Sequence, residues 1–553
     1  MNGKTTIRRL AAFLALAVFL LTAAPGLAAE VKASSLRDDG RIRVWLRSLS
    51  DERTLTLGFN GIYAAGDGRI AFERGTVATL TCSDESLYLS SGSLRLRLGD
   101  SVTFTRYQAA EGSANGLLIQ ENTSGGLYCG DLTVDLYEGA MRAILTVDAE
   151  EYLYGVVGYE MSDSWPLEAL KAQSVAARTY AMSKKAQSAG REYDVADTTA
   201  DQVYRGYQSA YANVIAAVDA TEGVTGIWKG GYATCFYTAS NGGQTALPTD
   251  VWTDQGDYGY LDRRDDPYDW ENPMSVVKSV EFRADLSDCP ALRTLLTDAV
   301  DEALDRPFTL QRVLWITPVD PVPEDSRRYT RLRFEVSCLT EKVLQTPAPT
   351  EEGVSFPAVP FAEAGQQEER TVTVDLDVFG QIKSALELGI NGSDYELIQV
   401  LSGQGSFTLE TRRFGHGVGM SQRGAQRMAG HYGMDWTEIL GFYYPGMSLE
   451  KISWSRPALE VLEGTSDTAP APSPTPAPLP ELSEGEYYAK VVLHGDSDAL
   501  NIRKGPSTGT AILDRFEEGR RVIVSSSEDE NGWVKIRTAE LNGYVKAYYL
   551  EAE

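Results

Sequence analysis

A glutamate between two large apolar residues is the clearest candidate for acid–base chemistry in this sequence. Glu160 follows Tyr159 and precedes Met161, so its neighbours partly exclude water from the carboxylate. Removing water from a carboxylate raises its pKa and prepares the group to give and take a proton. The alternative is a solvent-facing glutamate that merely precedes a helix, and these residues alone leave both interpretations open.

Two basic residues downstream could take part in the same chemistry. Lys171 and Arg178 are seven residues apart, which places them on one face of a helix. Near Glu160 they would lower its pKa or bind oxygen atoms of a substrate. The alternative is a structural role in which they pair with Glu160 or Glu168, and such surface pairs contribute little stability.

A histidine in a glycine-rich loop is a further candidate. His416 lies between Gly415 and Gly417, and glycine permits backbone angles and close ligand approach that other residues do not. The histidine could therefore contact a ligand. The alternative is a loop histidine whose ring bonds a carbonyl.

A helix must position the first three of these groups. The segment 169–181 has no helix breaker, and Ser164 and Pro166 precede it as a capping residue and a first-turn proline. The apolar and aromatic stretch 152–159 then brings Glu160 to the start of this helix. Its alanines allow close approach to a neighbouring layer.

The pattern along the main part of the chain predicts an α+β fold. Residues 40–150 read mainly as short alternating strands, whereas residues 164–187 and 207–221 read as helices and residues 276–410 mix both. Strands followed by helices and further strands are typical of α+β domains. The cleanest strand patterns lie at 42–47 and 94–98.

Composition excludes several classes of function. The 553 residues include 51 Lys and Arg against 78 Asp and Glu, for a net charge of −27. A nucleic-acid binder needs a basic face, so this balance argues against one. Three histidines exclude a site with many imidazoles, and five cysteines exclude a small disulfide-dense scaffold.

Both ends of the chain carry other signals. Residues 1–29 predict a signal peptide with a basic start, an apolar run and small residues suited to cleavage, although an uncleaved anchor is the alternative. Either outcome places the body outside the cytoplasm. Alternating prolines predict an extended linker over 456–485, and β-like runs predict a small all-β barrel over 486–553. The strand candidates in that barrel are 489–493, 521–524, 533–536 and 543–545.

Two long motifs carry a family resemblance. Residues 151–181 contain the run EYLYGVVGYEM followed by WPLEALKAQSVAARTYA, and residues 414–446 contain FGHGVGMSQRGA and ILGFYYPG. Weaker matches lie between them, at 197–204 and 240–245. Together they resemble the stage II sporulation protein D (SpoIID/LytB) family, and the resemblance predicts one catalytic region over 36–455.

The resemblance implies a peptidoglycan lytic transglycosylase. Such enzymes cleave MurNAc–GlcNAc bonds, preferably in strands stripped of peptides by an amidase, and leave 1,6-anhydro-MurNAc ends. Glu160 would be the catalytic acid and base, and Lys171, Arg178 and Ser421 would lie in the glycan cleft, the two basic residues on the lactyl carboxylate. On chemical grounds, His416 and Gln422 join the predicted substrate-binding set.

The same resemblance leaves an alternative role open. Some relatives are enhancers of wall amidases, so a non-catalytic binding protein that acts on an amidase partner is a second hypothesis. A third is an extracellular domain that only adheres to wall polymers. A role in sporulation or engulfment is also implied.

One departure from the family concerns metal. Some relatives hold zinc with Cys and His near the segment that is 196–201 here, and this segment supplies neither residue. Tetrahedral zinc needs such ligands, so we expect no metal and no cofactor. Cys235 is predicted to be a buried packing residue rather than a nucleophile.

The C-terminal segment has a resemblance of its own. Residues 500–507, 532–533 and 543–545 resemble a bacterial SH3 (SH3b) domain. Relatives often bind wall peptide or glycan, so targeting to the wall is implied, and a structural barrel without a ligand is the alternative.

Overall fold

The chain folds as an α+β protein with a small all-β unit at its C-terminus, as the sequence predicts. The structure is a computed structural model that describes residues 30–343, 362–465, 467, 482–483, 486–493 and 500–552, apart from residues 51, 67, 84, 123, 254–255, 508–509, 511, 517–519, 526–528, 530 and 539–540. The predicted signal peptide and the alternating prolines lie outside the described residues. No helix within the described residues is long and apolar enough to cross a membrane.

Strands dominate the first part of the chain. Ahead of the first helix come β1 (Val31–Asp38), β2 (Arg41–Trp45), β3 (Thr54–Asn60), β4 (Tyr63–Ala65), β5 (Ile70–Phe72), β6 (Val77–Ser83), β7 (Ser86–Ser91), β8 (Leu94–Gly99), β9 (Ser101–Arg106), β10 (Gly116–Ile119), β11 (Leu127–Tyr128), β12 (Gly130–Tyr137) and β13 (Ala140–Asp148). The strands from β2 to β13 form two sheets, ordered β2-β13-β12-β9-β4-β5 and β11-β10-β3-β6-β7-β8, and Val195–Ala196 adds a strand beside β2 in the first of them. β1 belongs to another sheet. Alternating buried residues, as in β2 and β6, face the common core.

Helices pack on these sheets. The next elements are α1 (Ala149–Glu160), α2 (Leu167–Gln187), β14 (Val195–Ala196), α3 (Ala212–Ala220), β15 (Val224–Trp228), β16 (Gly231–Tyr232), β17 (Tyr237–Thr238), α4 (Pro248–Val251) and α5 (Pro267–Glu271). Fourteen residues of α2 are buried, several of them alanines, which lets α1, α3 and the sheets approach closely.

The middle of the chain builds a second hydrophobic core. Its elements are β18 (Val277–Arg283), α6 (Pro290–Ala303), β19 (Phe308–Pro321), β20 (Tyr329–Val343), β21 (Ala362–Asp377), α7 (Lys383–Ala385), β22 (Leu397–Ser402) and β23 (Ser406–Arg412). They form two sheets, β18-β23-β22 and β19-β20-β21, around α6. The predicted catalytic region therefore contains two cores, and its predicted boundaries remain a proposal.

The chain then returns to the first core. The returning elements are β24 (Met420–Ser421), α8 (Gln422–Tyr432), α9 (Trp436–Tyr443) and β25 (Ser448–Trp454). β24 pairs in parallel with β17, and β25 lies between β1 and β15. Residues more than 200 positions apart in the chain are thereby joined in one core.

The C-terminal unit has its own core and consists of strands. They are β26 (Tyr487–Val491), β27 (Leu500–Arg503), β28 (Ile512–Phe516), β29 (Arg521–Val524), β30 (Trp533–Arg537), β31 (Asn542–Lys546) and β32 (Leu550–Ala552). In the part of the chain that the structure describes, the short non-α helices are Arg47–Leu49, Val378–Ile382 and Ala547–Tyr549. The strands predicted at 521–524, 533–536 and 543–545 match closely, and the one predicted at 489–493 is shifted by two residues.

Two helix predictions need correction. The helix predicted from residue 164 begins at Leu167, and its N-cap is Pro166, with no cap from Ser164. A residue before proline disfavours helical angles, so Trp165 cannot serve as the first turn. The helix predicted over 207–221 is shorter, Ala212–Ala220.

Candidate active site

Glu160 is the last residue of a helix that the sequence did not predict. Helix α1 begins after Asp148, whose side chain accepts a hydrogen bond from the backbone N–H of Glu150. Its interior contains Gly155, where an added Cβ would lie 2.5 Å from the Tyr204 ring, so glycine is needed for packing there. The helix ends at Met161, whose backbone is extended, and this leaves the Glu160 carboxylate half-buried at the helix end.

The Glu160 carboxylate contacts the second sequence motif. Gln422 Nε2 donates a hydrogen bond of 3.1 Å to Glu160 Oε2. Burial raises the pKa of Glu160 above its ordinary value, and the bond from Gln422 partly offsets that rise. Glu160 forms no ion pair with any residue the structure describes. It can therefore hold a proton and release it.

Ser421 fixes the start of the helix that carries Gln422. Its hydroxyl accepts a hydrogen bond from Gly424 N at 3.0 Å and donates one to Asp269 Oδ2 at 2.9 Å. The residue is fully buried. The prediction that Ser421 contacts glycan is corrected: it caps α8 and positions Gln422.

Two buried aspartates hold this region together. Asp269 also accepts hydrogen bonds from the hydroxyl of Ser240 at 2.9 Å and from the backbone N–H of Asn241 at 2.5 Å. Asp266 accepts them from Asn241 Nδ2 and the Tyr443 hydroxyl, both at 2.7 Å. Burial and the charge of Asp269 raise the pKa of Asp266. These bonds tie α5, the loop after β17, α8 and α9 into one support for the site.

Lys171 is held by a neighbour on its own helix. Its Nζ lies 2.7 Å from Glu168 Oε1, and Glu168 Oε2 accepts a hydrogen bond from Trp436 N at 3.1 Å. The Lys171 side chain is only 18% exposed. The alternative of a pair with Glu168 is thus the one observed, and no contact joins Lys171 to Glu160 within the described residues.

Arg178 lies in the interior, away from any ligand. Its guanidinium is fully buried, pairs with Glu150 at 2.5 Å and donates to the carbonyls of Val224 and Val218 at 3.0 and 3.3 Å. Glu150 and Glu160 are ten residues apart on α1, or about 15 Å along the axis. The prediction that Arg178 binds glycan is therefore wrong, because the side chain has no access to a substrate.

His416 lines a groove beside the site. Its Nδ1 accepts a hydrogen bond from Val418 N at 3.0 Å, and its ring lies 4.9 Å from that of Trp252. Burial and the nearby charge of Arg413 lower the pKa of His416 to about 4, and a bond to the backbone of Tyr237 partly opposes this. The neutral ring is therefore bound to the backbone. This is close to the alternative of a loop histidine whose ring bonds a carbonyl.

We expect His416 to make the protein less stable in mild acid. Its folded pKa is about 4, and its unfolded pKa is about 6.5, so protons bind the unfolded state first. The contribution of neutral His416 to the free energy of unfolding is fully present above pH ~6.5. It is lost as the pH falls toward the folded pKa near 4. Melting temperatures of His416→Gln should fall less than wild type between pH 7 and pH 4.5. Equal falls would contradict this, and exposed His431→Gln is the matched control.

The groove, here called the aromatic groove, has a volume of 330 Å³. Tyr237 lines the groove, and its hydroxyl accepts a hydrogen bond of 3.0 Å from Gln202 Nε2. The charge of Glu160 adds to burial in raising the pKa of Tyr237. A larger cavity of 640 Å³ lies at the other end of α1, near Glu150. The aromatic groove is lined chiefly by Tyr180, Lys184, Phe236, Tyr237, Trp252 and Tyr258.

Among the described residues, no group of three or more His, Cys, Asp or Glu is placed to hold a metal ion. Cys235 is fully buried against the Met447 sulfur at 3.4 Å, as predicted, and burial raises the pKa of its thiol.

Close packing determines the shape of the glycine-rich loop around His416. At Gly419, φ is +73° and an added Cβ would lie 2.0 Å from the Phe236 carbonyl oxygen.

Comparisons with known proteins identify two domains in the chain. A family model described as stage II sporulation protein matches residues 137–227, and a bacterial SH3 domain model matches residues 498–551. The chain contains a SpoIID domain and a bacterial SH3 domain. Glu160 falls within the matched part of the SpoIID domain, whereas Gln422 lies outside it.

Three similar proteins extend the match. An amidase enhancer of Bacillus subtilis is 30% identical over 302 residues, which is 54% of this chain and 40% of that protein. Stage II sporulation protein D of the same organism is 24% identical over 335 residues, 58% of this chain and 79% of that protein. An uncharacterized protein of Brachyspira hyodysenteriae is 39% identical over 126 residues, 23% of this chain and 34% of that protein. The chain thus spans well under half the length of the amidase enhancer.

Sequence reasoning missed the residues that support the candidate site. Asp266 and Asp269 received no role, although Asp266 followed by Pro267 is a helix-start pattern that could have placed α5. Their contacts with Ser421 and Tyr443 join segments more than 150 residues apart. No local signal indicates such contacts.

Proposed function

We propose that this chain is a peptidoglycan lytic transglycosylase that cleaves MurNAc–GlcNAc bonds of peptide-stripped glycan. The observation that carries the proposal is the contact between Glu160, in the first sequence motif, and Gln422, in the second. A half-buried carboxylate with a raised pKa is suited to proton transfer. The relatives named for sporulation and for amidase enhancement support a role at the cell wall.

A single carboxylate suffices for this reaction. Protonated Glu160 donates its proton to the glycosidic oxygen as the bond from that oxygen to C1 of MurNAc breaks. The resulting carboxylate takes the proton of the C6 hydroxyl as that oxygen bonds to C1. A 1,6-anhydro ring forms, no water is consumed, and Glu160 regains its proton. An ordinary glycosidase would use a second carboxylate.

The surrounding groups have distinct parts in this proposal. Gln422 orients the carboxylate through its Nε2 donor, with Ser421 and Asp269 positioning Gln422. The aromatic groove offers flat ring faces and polar groups for neighbouring sugars. The SH3 domain would bind wall peptide or glycan, and the chain would act outside the cytoplasm, in wall remodelling such as that of sporulation.

Gln422 gives a test of the acid role. Its N–H bond favours the charged form of Glu160, so Gln422→Leu should raise the pKa of Glu160 further. Because the carboxyl must begin protonated, activity falls as pH rises through that pKa. The upper limb of the kcat/KM profile should therefore move up by about one pH unit. Gln426→Leu, one turn further along α8, is the control, and an unmoved limb in Gln422→Leu would contradict the role.

The proposal is tested by digesting amidase-treated glycan with the purified chain and weighing the products. Anhydro ends support it, and ordinary reducing ends would indicate a hydrolase. A second function, suggested by the similarity to an amidase enhancer, is a non-catalytic partner of a wall amidase. If the chain cuts no glycan by itself and only raises the rate of an added amidase, that second function is correct.

A further inference from the structure

The basic residues predicted for the candidate site, and Lys184 of the aromatic groove, are already paired; Lys184 Nζ lies 2.8 Å from Asp201 Oδ1. The chain carries a net charge of −27, so overall attraction cannot draw in a polymer with free carboxylates. Lys171 is neutralised by Glu168 and Arg178 by Glu150. Recognition of a carboxylate beside Glu160 therefore requires another basic residue.

Arg423 meets that requirement by position. It directly follows Gln422 in α8, so its Cα lies about 3.8 Å from that of the residue that contacts Glu160. The Arg423 side chain forms no ion pair with any described residue. Among the described residues, its side chain donates one hydrogen bond, from Nη1 to the neutral amide oxygen of Gln426 at 3.1 Å.

The guanidinium is held rather than loose. It lies over the Trp165 ring, 4.8 Å from the ring centroid, a cation–π arrangement that restrains the group. Arg423 is half-buried, so part of the residue remains accessible to solvent. The Arg423 carbonyl accepts a hydrogen bond from Asn272 Nδ2 at 2.7 Å. Trp165 lies five residues after Glu160, and Arg423 directly follows Gln422. The stacked pair thus comes from the same two chain segments as the contact between Glu160 and Gln422.

Neighbouring basic residues are less suited. Arg412 stacks on Trp270 at 3.9 Å and pairs with Glu410 at 3.3 Å. Arg427 lies one turn further along α8, over the Tyr432 ring at 5.9 Å. Arg423 therefore combines nearness to Gln422, a restrained guanidinium and the absence of an ion pair.

We propose that Arg423, stacked on Trp165, binds the free lactyl carboxylate of a peptide-stripped MurNAc beside Glu160. Guanidinium binds carboxylate through two parallel N–H bonds, which suits a planar fork held in place. In a strand that keeps its peptides the lactyl group is an amide without charge. Arg423 would thus be the residue that favours stripped strands. This inference rests on the proposed function, since it assumes that glycan lies at Glu160.

Binding of matched saccharides tests this assignment. Full-length chain carrying Glu160→Gln is titrated with a GlcNAc–MurNAc tetrasaccharide bearing free lactyl carboxylates and with the same tetrasaccharide amidated at each lactyl group. Adding Arg423→Gln should weaken binding of the carboxylate form about tenfold and leave the amidated form unchanged. Arg95→Gln, at an exposed strand position, removes the same charge and should change neither.

Three outcomes would overturn the assignment: no loss with Arg423→Gln, an equal loss for both saccharides, or the same loss with Arg95→Gln. Melting temperatures of all variants exclude misfolding as the cause. Because binding is measured without cleavage, failure here is separate from failure of the proposed function. The proposed function fails, by a separate measurement, if wild type leaves glycan uncut or releases ordinary reducing ends.

Discussion

Glu160→Gln is expected to abolish cleavage of peptide-stripped glycan, with a loss of at least about 100-fold to 10,000-fold in rate. Glutamine has the size of glutamate but cannot transfer a proton. Its side chain can still pair with Gln422, so folding and glycan binding should persist. Release of soluble fragments, melting temperature and binding to insoluble glycan measure the three properties.

A second glutamate provides the control for this variant. Glu168→Gln, on α2, removes a carboxylate that pairs with Lys171 and has no contact with Glu160 among the described residues. It should retain most of the activity. Retained cleavage by Glu160→Gln, or equal loss in both variants, would show that Glu160 is not the acid.

Arg178→Met is expected to cost about 3–5 kcal/mol in the free energy of unfolding. The change leaves Glu150 charged and buried without its main partner. It also removes the donors to the carbonyls of Val218 and Val224. Urea unfolding followed by tryptophan fluorescence measures the loss.

Lys171→Met is the matched comparison on the same helix. Its pair with Glu168 is partly exposed, and such pairs contribute about 0–1 kcal/mol. Replacing both Glu150 and Arg178 with apolar residues should recover part of the stability lost in Arg178→Met. Equal destabilisation by Lys171→Met and Arg178→Met would contradict the assignment of one residue to the core and the other to the surface.

The two basic residues show what sequence periodicity can establish. A spacing of seven residues places Lys171 and Arg178 on one helix face, and both do lie on α2. Periodicity does not determine which other elements pack against that face of the helix. Glu150, the partner of Arg178, comes from the start of α1, a helix that was itself missed because two glycines and several tyrosines lower the helix propensity of its sequence.

The candidate site was predictable where chemistry is local. The flanking residues left a partly desolvated and a solvent-facing Glu160 both open, and burial raises the pKa of Glu160 in the structure, as the first alternative predicts. Gln422 was identified only as a neighbour within a motif. The family resemblance implied that Ser421 lies in the glycan cleft, but its hydroxyl donates a hydrogen bond to the buried carboxylate of Asp269. Such pairings depend on contacts across the whole fold.

The most direct test of the central claim uses wild-type chain, amidase-treated glycan and heavy-oxygen water. Transfer to the C6 hydroxyl consumes no water, so we expect products with 1,6-anhydro-MurNAc ends that carry no label. Mass spectrometry distinguishes these from ordinary reducing ends. Labelled reducing ends would show that Glu160 does not direct transfer to the sugar's own hydroxyl, because they require water as the nucleophile.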